Sequence, residues 1–399
     1  MSVPIFPPEI LDLFLNELGS AAIKDPQSQA ALLVCTQVNR QFHHQANSHI
    51  FSSILIGYPA NDLNDLLGIL NPDIAQHIRS FTLEMNRDNV HICIQSLPAV
   101  LKQLCNLQKF NWTTDRYSDH LWYPYNIDIT STLNALSNSP SLTTVHFEKI
   151  IDFPLSLFST CYRLESLTLL QVKFAKMRVE RLTSSLFSSL KRLKISGKFC
   201  SEDVEAVRVI MTCAAPTLTT LVLCKVSKCK FYNFLGPHLI YLSTYIASFF
   251  LNLNSTVFPA LESIKISCRI SFFHKTLPSF ISQFLDYSAP MVNQIQIKLV
   301  AHRFFLPNQP FSLGQGFLPV DEILTSPKYP SLNSLGLTFS QEDPVRIPES
   351  EFDVQMYLHI FLPAVSDCSR IQTEIRAGCC ESLDYELWLS SHCWTSYYI

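Results

Sequence analysis

From residue 78 onward the chain repeats one short pattern: an apolar residue, two others, an apolar residue, one other, an apolar residue. It reads Ile78-Phe81-Leu83, Leu107-Phe110-Trp112, Leu142-Val145-Phe147, Leu164-Leu167-Leu169 and Leu190-Leu193-Ile195. It continues as Leu218-Leu221-Leu223, Leu261-Ile264-Ile266, Val292-Ile295-Ile297 and Leu332-Leu335-Leu337, with a weaker copy at Leu239-Leu242-Thr244. Proline stands two residues ahead of the first apolar position in six copies: Pro140, Pro216, Pro237, Pro259, Pro290 and Pro330. The last two apolar positions flank one residue that points the other way, which is strand periodicity. A lone strand cannot bury that face, whereas copies laid side by side in one parallel sheet bury it continuously. The proline has no N–H and disfavours helix in the residue before it, so it ends one segment and lets a strand begin.

Helical spacing of apolar residues predicts helices between the copies, over residues 62–70, 90–104, 202–214, 277–287 and 351–362. Ser201 reads as an N-cap ahead of the acidic first-turn residues Glu202 and Asp203. First apolar positions recur every 21 to 40 residues. Pattern and spacing together resemble the leucine-rich repeat, with a strand plus a helix or irregular turn per repeat. That family places Asn or Cys three residues after the last strand leucine; here those positions hold Val172, Lys198, Val226, Arg269 and Ser340. The resemblance therefore implies an α/β fold, an irregular solenoid with one parallel sheet over residues 75–380, and residues 381–399 as a tail or cap.

Between the last two apolar positions of each copy, one residue points away from the buried side. The row reads His146, Thr168, Lys194, Val222, Ser243, Lys265, Gln296 and Gly336. Such a face is where repeat arrays bind partners, which makes Thr168, Lys194, Lys265 and Gln296 candidate contacts for a protein substrate. Lys194 and Lys265 are the row's only formal charges, with no acid to balance them. They predict a partner that presents an acidic or phosphorylated segment; the plainer alternative is a pair of solvated lysines.

The first fifty residues carry no strand pattern. Phe6-Pro7-Pro8-Glu9-Ile10-Leu11 opens a helix, because proline tolerates the first turn and a carboxylate there suits the helix dipole. Ile10, Leu13, Phe14 and Leu18 fall on one helical face, and Gly19-Ser20 reads as its stop. A polar loop over residues 24–29 leads to a second helix with Leu32, Leu33, Cys35 and Val38, and a third amphipathic piece runs to Phe51. Residues 4–53 resemble an F-box. That family opens with Leu-Pro-x-Glu-Ile-Leu, here Phe6-Pro7-Pro8-Glu9-Ile10-Leu11. It later carries Val-Cys-x-x-Val-x-Arg-x-Trp, here Val34-Cys35-Thr36-Gln37-Val38-Asn39-Arg40-Gln41-Phe42. An F-box ahead of leucine-rich repeats is an arrangement known among substrate receptors of SCF-type ubiquitin ligases. The resemblance implies a three-helix domain that binds a Skp-family adaptor and, through it, a cullin. The implied contacts are Pro7, Ile10, Leu13, Leu18, Val38 and Phe42, with Phe6 and Leu11 behind them. The alternative is a plain helical cap on a leucine-rich scaffold with no ligase link.

Composition narrows the function classes. A chain of 399 residues is too long for one compact core of ordinary size. The formal net charge is −3, without the basic excess that nucleic acid demands. Glycine is scarce, 9 residues in all, and there is no Walker-type loop or G-x-G-x-x-G; Gly314-Gln315-Gly316 is the nearest approach. No G-x-S-x-G and no paired carboxylates stand out, so the chain reads as non-catalytic and free of cofactor or metal. Cys224, Cys229 and His238 lack the second close pair that zinc needs, as do Cys379, Cys380, His392 and Cys393. Thirteen cysteines without C-x-x-C suit a reducing compartment. With no secretory pattern at Met1–Ile10, a cytoplasmic or nuclear location is expected, and the sequons at Asn111 and Asn254 read as chance. Residues 239–261 carry no Asp, Glu, Lys or Arg, but their many Ser, Thr and Asn argue for the array over a membrane span. The basic run Lys173, Lys176, Arg178, Arg181 reads as a solvated face.

Overall fold

The computed structural model describes residues 7–22, 25–57, 61–85, 90–114, 141–151, 153–158, 162–175, 187–197, 201–224, 258–270, 281, 285, 291–301, 310–341 and 362–379. The chain divides into two compact units, one built on residues 1–147 and one on residues 148–391.

The first unit begins with three helices: α1 (Pro8–Ala22), α2 (Pro26–Cys35) and α3 (Arg40–Ile50). Each of the last two has a side-chain cap. Asp25 accepts the Gln27 and Ser28 amides at 3.1 and 2.9 Å, and Asn39 accepts those of Gln41 and Phe42 at 2.9 and 3.0 Å. Helix α2 thus starts inside the stretch that reads as a polar loop, because Asp25-Pro26 is a cap followed by a proline at the first helical position. Leu11, Leu15, Leu32, Cys35 and Ala46 form the core of the three helices, with Leu18, Phe42 and Ile50 packed against it.

Helix α1 does not stop at Gly19-Ser20; it continues to Ala22. The glycine serves another purpose. A Cβ built at Gly19 would overlap the imidazole of His49, 2.6 Å from its Cγ. The missing side chain lets α3 approach α1.

The unit continues with β1 (Ser53–Ile56), α4 (Asn61–Ile69), α5 (Pro72–Ala75), β2 (Ser80–Met85), α6 (Val90–Gln103), β3 (Lys109–Thr114) and β4 (Thr144–Glu148). Its strands run in chain order, with β1, β2 and β3 parallel neighbours. Aromatic side chains fill the core side: Phe81 stacks on Phe110 with ring centroids 6.2 Å apart, and Phe110 meets Phe147 edge-on at 6.1 Å. Strand β1 lies ahead of the first copy of the repeated pattern and was not legible from it. The sequon residue Asn111 is 4% exposed and donates to Thr82 Oγ1 at 2.9 Å, so no glycan fits there.

The second unit carries β5 (Ser166–Leu170), β6 (Arg192–Ser196), α7 (Ser201–Ala214), β7 (Thr220–Cys224), β8 (Ser263–Ile270), β9 (Gln294–Ala301), α8 (Pro310–Thr325), β10 (Ser334–Gln341), α9 (Pro363–Ser366) and β11 (Gln372–Cys379). These strands form a parallel sheet in chain order. The α/β class and the parallel sheet follow the sequence pattern. In all nine full copies the three apolar positions are buried. The last two lie on the strand, and the first lies two residues ahead of it. Pro216, Pro259 and Pro330 occupy turns just before strand entry.

One backbone device recurs at strand entry. Glu165 O accepts from the amides of both Lys191 and Arg192, Lys191 O from Thr219 and Thr220, and Thr219 O from Glu262 and Ser263. Glu262 O then accepts from Asn293 and Gln294, and Asn293 O from Asn333 and Ser334. One carbonyl per repeat therefore sets the register of the next strand.

Strand β7 pairs directly with β8; the weak copy Leu239-Leu242-Thr244 lies outside the described residues. Where the family would place asparagine, Val172 is buried, and Arg269 and Ser340 lie within β8 and β10. Strands β8 to β11 each run eight residues against five for β5 to β7. At Arg269 and Ser340 the ladder continues through that position, whereas β5 ends before Val172.

The helices expected over 62–70, 90–104 and 202–214 are α4, α6 and α7. Ser201 is already helical rather than a cap. Asp203 is fully buried, and its carboxylate accepts the Phe174 amide at 2.7 Å. Of the stretch 277–287, Ile281 and Leu285 are described and helical; 351–361, like 381–399, lies outside the described residues. Gly314-Gln315-Gly316 sits inside α8, not in a phosphate loop.

Candidate functional site

Two surfaces stand out, one in each unit. On α1 the buried stripe is Leu11, Leu15 and Leu18, while Ile10, Leu13 and Phe14 form a second apolar stripe on the solvent side. Helix α2 and the turn after it repeat the arrangement: Leu32 and Cys35 face the core, and Leu33, Val34 and Val38 face outward. These six outward residues are each more than half exposed, between 52 and 64%. Burying them would gain about 25 cal/mol per Å² of apolar surface.

Among the residues singled out in sequence, Pro7, Ile10, Leu13 and Val38 are exposed. Leu11 belongs to the core, and Leu18 and Phe42 pack against it. Phe6 lies outside the described residues. Phe14, Leu33 and Val34 join the exposed set. Phe14 was visible as the i+4 neighbour of Ile10; nothing in the sequence separates Leu33 from the buried Leu32 beside it.

In the second unit the row of outward residues is in continuous register: Thr168 beside Lys194, then Val222, Lys265, Gln296 and Gly336. Ser243 lies outside the described residues, and no strand stands between Val222 and Lys265. His146 is on β4 of the first unit. The row ends differently from the sequence expectation: Gly336 pairs with Glu374 of β11, an exposed acid. The Gln296 side chain leans over Gly336, where a Cβ would sit 3.4 Å from its Cγ.

Period-two alternation extends the face above and below that row. Arg192 shares it with Lys194 on β6, and Lys298 shares it with Gln296 on β9. Ser166, Ser263, Ser267, Gln294, Ser334 and Thr338 are small or neutral neighbours, and the register also puts Arg269 of β8 and Arg376 of β11 on this face. Arg192 is exposed, and the three lysines are half-buried.

Lys173 is exposed, and the rest of its basic run lies outside the described residues, as do Cys229, His238, Cys380, His392, Cys393 and Asn254. No helix among the described residues is long and apolar enough to cross a membrane.

No protein-family model matches the chain, and no curated protein matches its sequence. Among solved structures it is similar to the leucine-rich repeat-containing protein LegL7 from Legionella pneumophila, at 10% identity and a TM-score of 0.44, over 82% of this chain and 90% of that one. The functional reading rests on the two surfaces themselves.

Proposed function

We propose that the chain is a non-catalytic substrate-recognition subunit of a Skp–cullin–F-box ubiquitin ligase. Its first three helices bind the Skp-family adaptor, and its strand array holds the protein substrate. The observation that carries the proposal is the exposed apolar stripe Ile10, Leu13, Phe14 on a helical unit that already has its own core. It coincides with the segment whose residues resemble the F-box opening. Holding a substrate beside another subunit's enzyme raises its effective concentration, and that proximity is the whole mechanism.

The test is capture of a purified Skp-family adaptor by the full chain. Capture is expected from the wild type and not from the double variant Pro7→Ala/Ile10→Asp, since a carboxylate in an apolar interface core costs several kcal/mol. Equal capture by both, or by neither, removes the ligase assignment. The chain is then a leucine-rich scaffold with a helical cap. That second reading has its own support in the bonds from the Arg79 and Ser80 amides to Ser52 O, which tie the end of the helical segment to the entry of β2.

A further inference from the structure

We infer that the outward sheet face of the second unit binds a carboxylate-rich, extended segment of a partner protein through Arg192, Lys194, Lys265 and Lys298. The inference rests on the reading of this face as the array's docking surface and names what docks. Arg192, Lys194, Lys265 and Lys298 share the face across β6, β8 and β9, the register adds Arg269 of β8 and Arg376 of β11 to it, and Glu374 is the one acid on it among the described residues of β5 to β11. A chain whose formal charge is −3 overall thus concentrates positive charge on one face.

Backbone spacing favours one of the two acidic partners. Neighbouring strands lie about 4.8 Å apart, so Lys194 and Lys265, two strands apart, are separated by about 10 Å at their Cα atoms. Arg192 and Lys194, two residues apart on one strand, are separated by about 7 Å. A single phosphate needs donors that converge on one point within hydrogen-bond distance. At their Cα atoms these cations are spread at intervals comparable to those at which an extended chain carries successive side chains. Distributed carboxylates match that spread. The serines, threonine and glutamines between the cations offer hydrogen bonds to an extended backbone and bring no bulky apolar pocket.

The experiment is direct binding of a labelled Glu-rich peptide to the purified full chain at low ionic strength, with no adaptor present. A peptide of equal net charge carrying a single phosphoserine, and a Gln-rich peptide, are the comparison arms. The Glu-rich peptide is expected to bind, to weaken steeply as salt is added, and to lose about tenfold or more in affinity with Lys194→Glu/Lys298→Glu. Thermal melting of the variant establishes that it is folded. The reverse change, Glu374→Lys, is expected to tighten binding, an outcome that no folding defect can imitate. Failure of the Glu-rich peptide to bind, indifference to these substitutions, or preference for the phosphoserine peptide overturns the inference. Because adaptor capture is measured separately, loss of the ligase assignment and loss of this inference remain distinguishable.

Discussion

Phe174 donates its backbone amide to Asp203 Oδ1 at 2.7 Å, joining the segment after β5 to the first turn of the helix after β6. Phe174 also pairs with Phe153 as a parallel bridge, and their rings lie 6.2 Å apart. One fully buried carboxylate therefore anchors an irregular crossing where the family's asparagine is absent. Asp203→Ala would leave the Phe174 amide buried without this acceptor, and a loss of about 1–3 kcal/mol is expected in chemical denaturation. Asp203→Asn keeps an acceptor oxygen and should cost less. Equal losses for the two would show that the charge, not the hydrogen bond, matters.

Asp321 is used in the same way: its carboxylate accepts the Ala364 and Val365 amides at 2.7 and 2.8 Å. Burial pushes its carboxyl above the ordinary range, the two amides pull it back only in part, and Glu322 and Asp367 push it further. Its folded value exceeds its unfolded one, so the fold favours the protonated form. The contribution of this group is full below the unfolded value, about 3.9, and is lost as pH rises through the folded one. Relative to Asp321→Asn, the wild type should lose stability as pH rises from about 4 toward neutrality. Denaturation curves in matched buffers measure it; parallel curves would contradict it.

Two histidines of the first unit carry the opposite sign. Burial lowers His77, reinforced by His44, whose ring lies 4.7 Å away, and by Arg79, with Asp73 opposing. Burial and Arg79 lower His49. Folded values below unfolded ones mean that the unfolded chain takes up protons first. Stability is lost as pH falls from about 6.5 through the folded values. His77→Gln should flatten that decline in thermal melts taken between neutral and mildly acidic pH.

Gly19 sets two known magnitudes against each other. Ala in place of Gly inside a helix stabilises by about 0.5–1 kcal/mol, but here the new Cβ would strike the His49 ring, and overpacking costs about 1–3 kcal/mol. Gly19→Ala should therefore destabilise. In a His49→Ala background the same change should stabilise. A double-mutant cycle reads the coupling directly, and additivity would refute the contact.

Leu15 and Ile10 lie on the same helix and differ in what they touch. Leu15→Ala removes a core side chain and should cost about 2–5 kcal/mol. Ile10→Asp, at an exposed position, should stay within about 0.5 kcal/mol of wild type in the free chain. If Ile10→Asp melts as early as Leu15→Ala, the stripe is core and not interface.

The repeated pattern determined much of this protein by itself. Period two told which side of each strand is buried, and the burial of the apolar positions bears it out in every full copy; a one-residue slip would expose Leu167 or Ile295 to solvent. Helical spacing likewise located α4, α6 and α7. What it did not determine is which of two apolar stripes on α1 faces inward: Ile10-Leu13-Phe14 and Leu11-Leu15-Leu18 are alike in composition, and only the position of α2 and α3 chose between them. Nor does local sequence say that Gly19 is a point of approach, that Asp203 reaches back to Phe174, or that β7 pairs with β8 past the weak copy between them. Those are contacts between residues distant in the chain, and the energy that selects them exists only once both partners are in place. The basic face has the same origin. Arg192, Lys194, Lys265 and Lys298 are isolated charges along the sequence, and the parallel register, set by one shared carbonyl per repeat, is what gathers them.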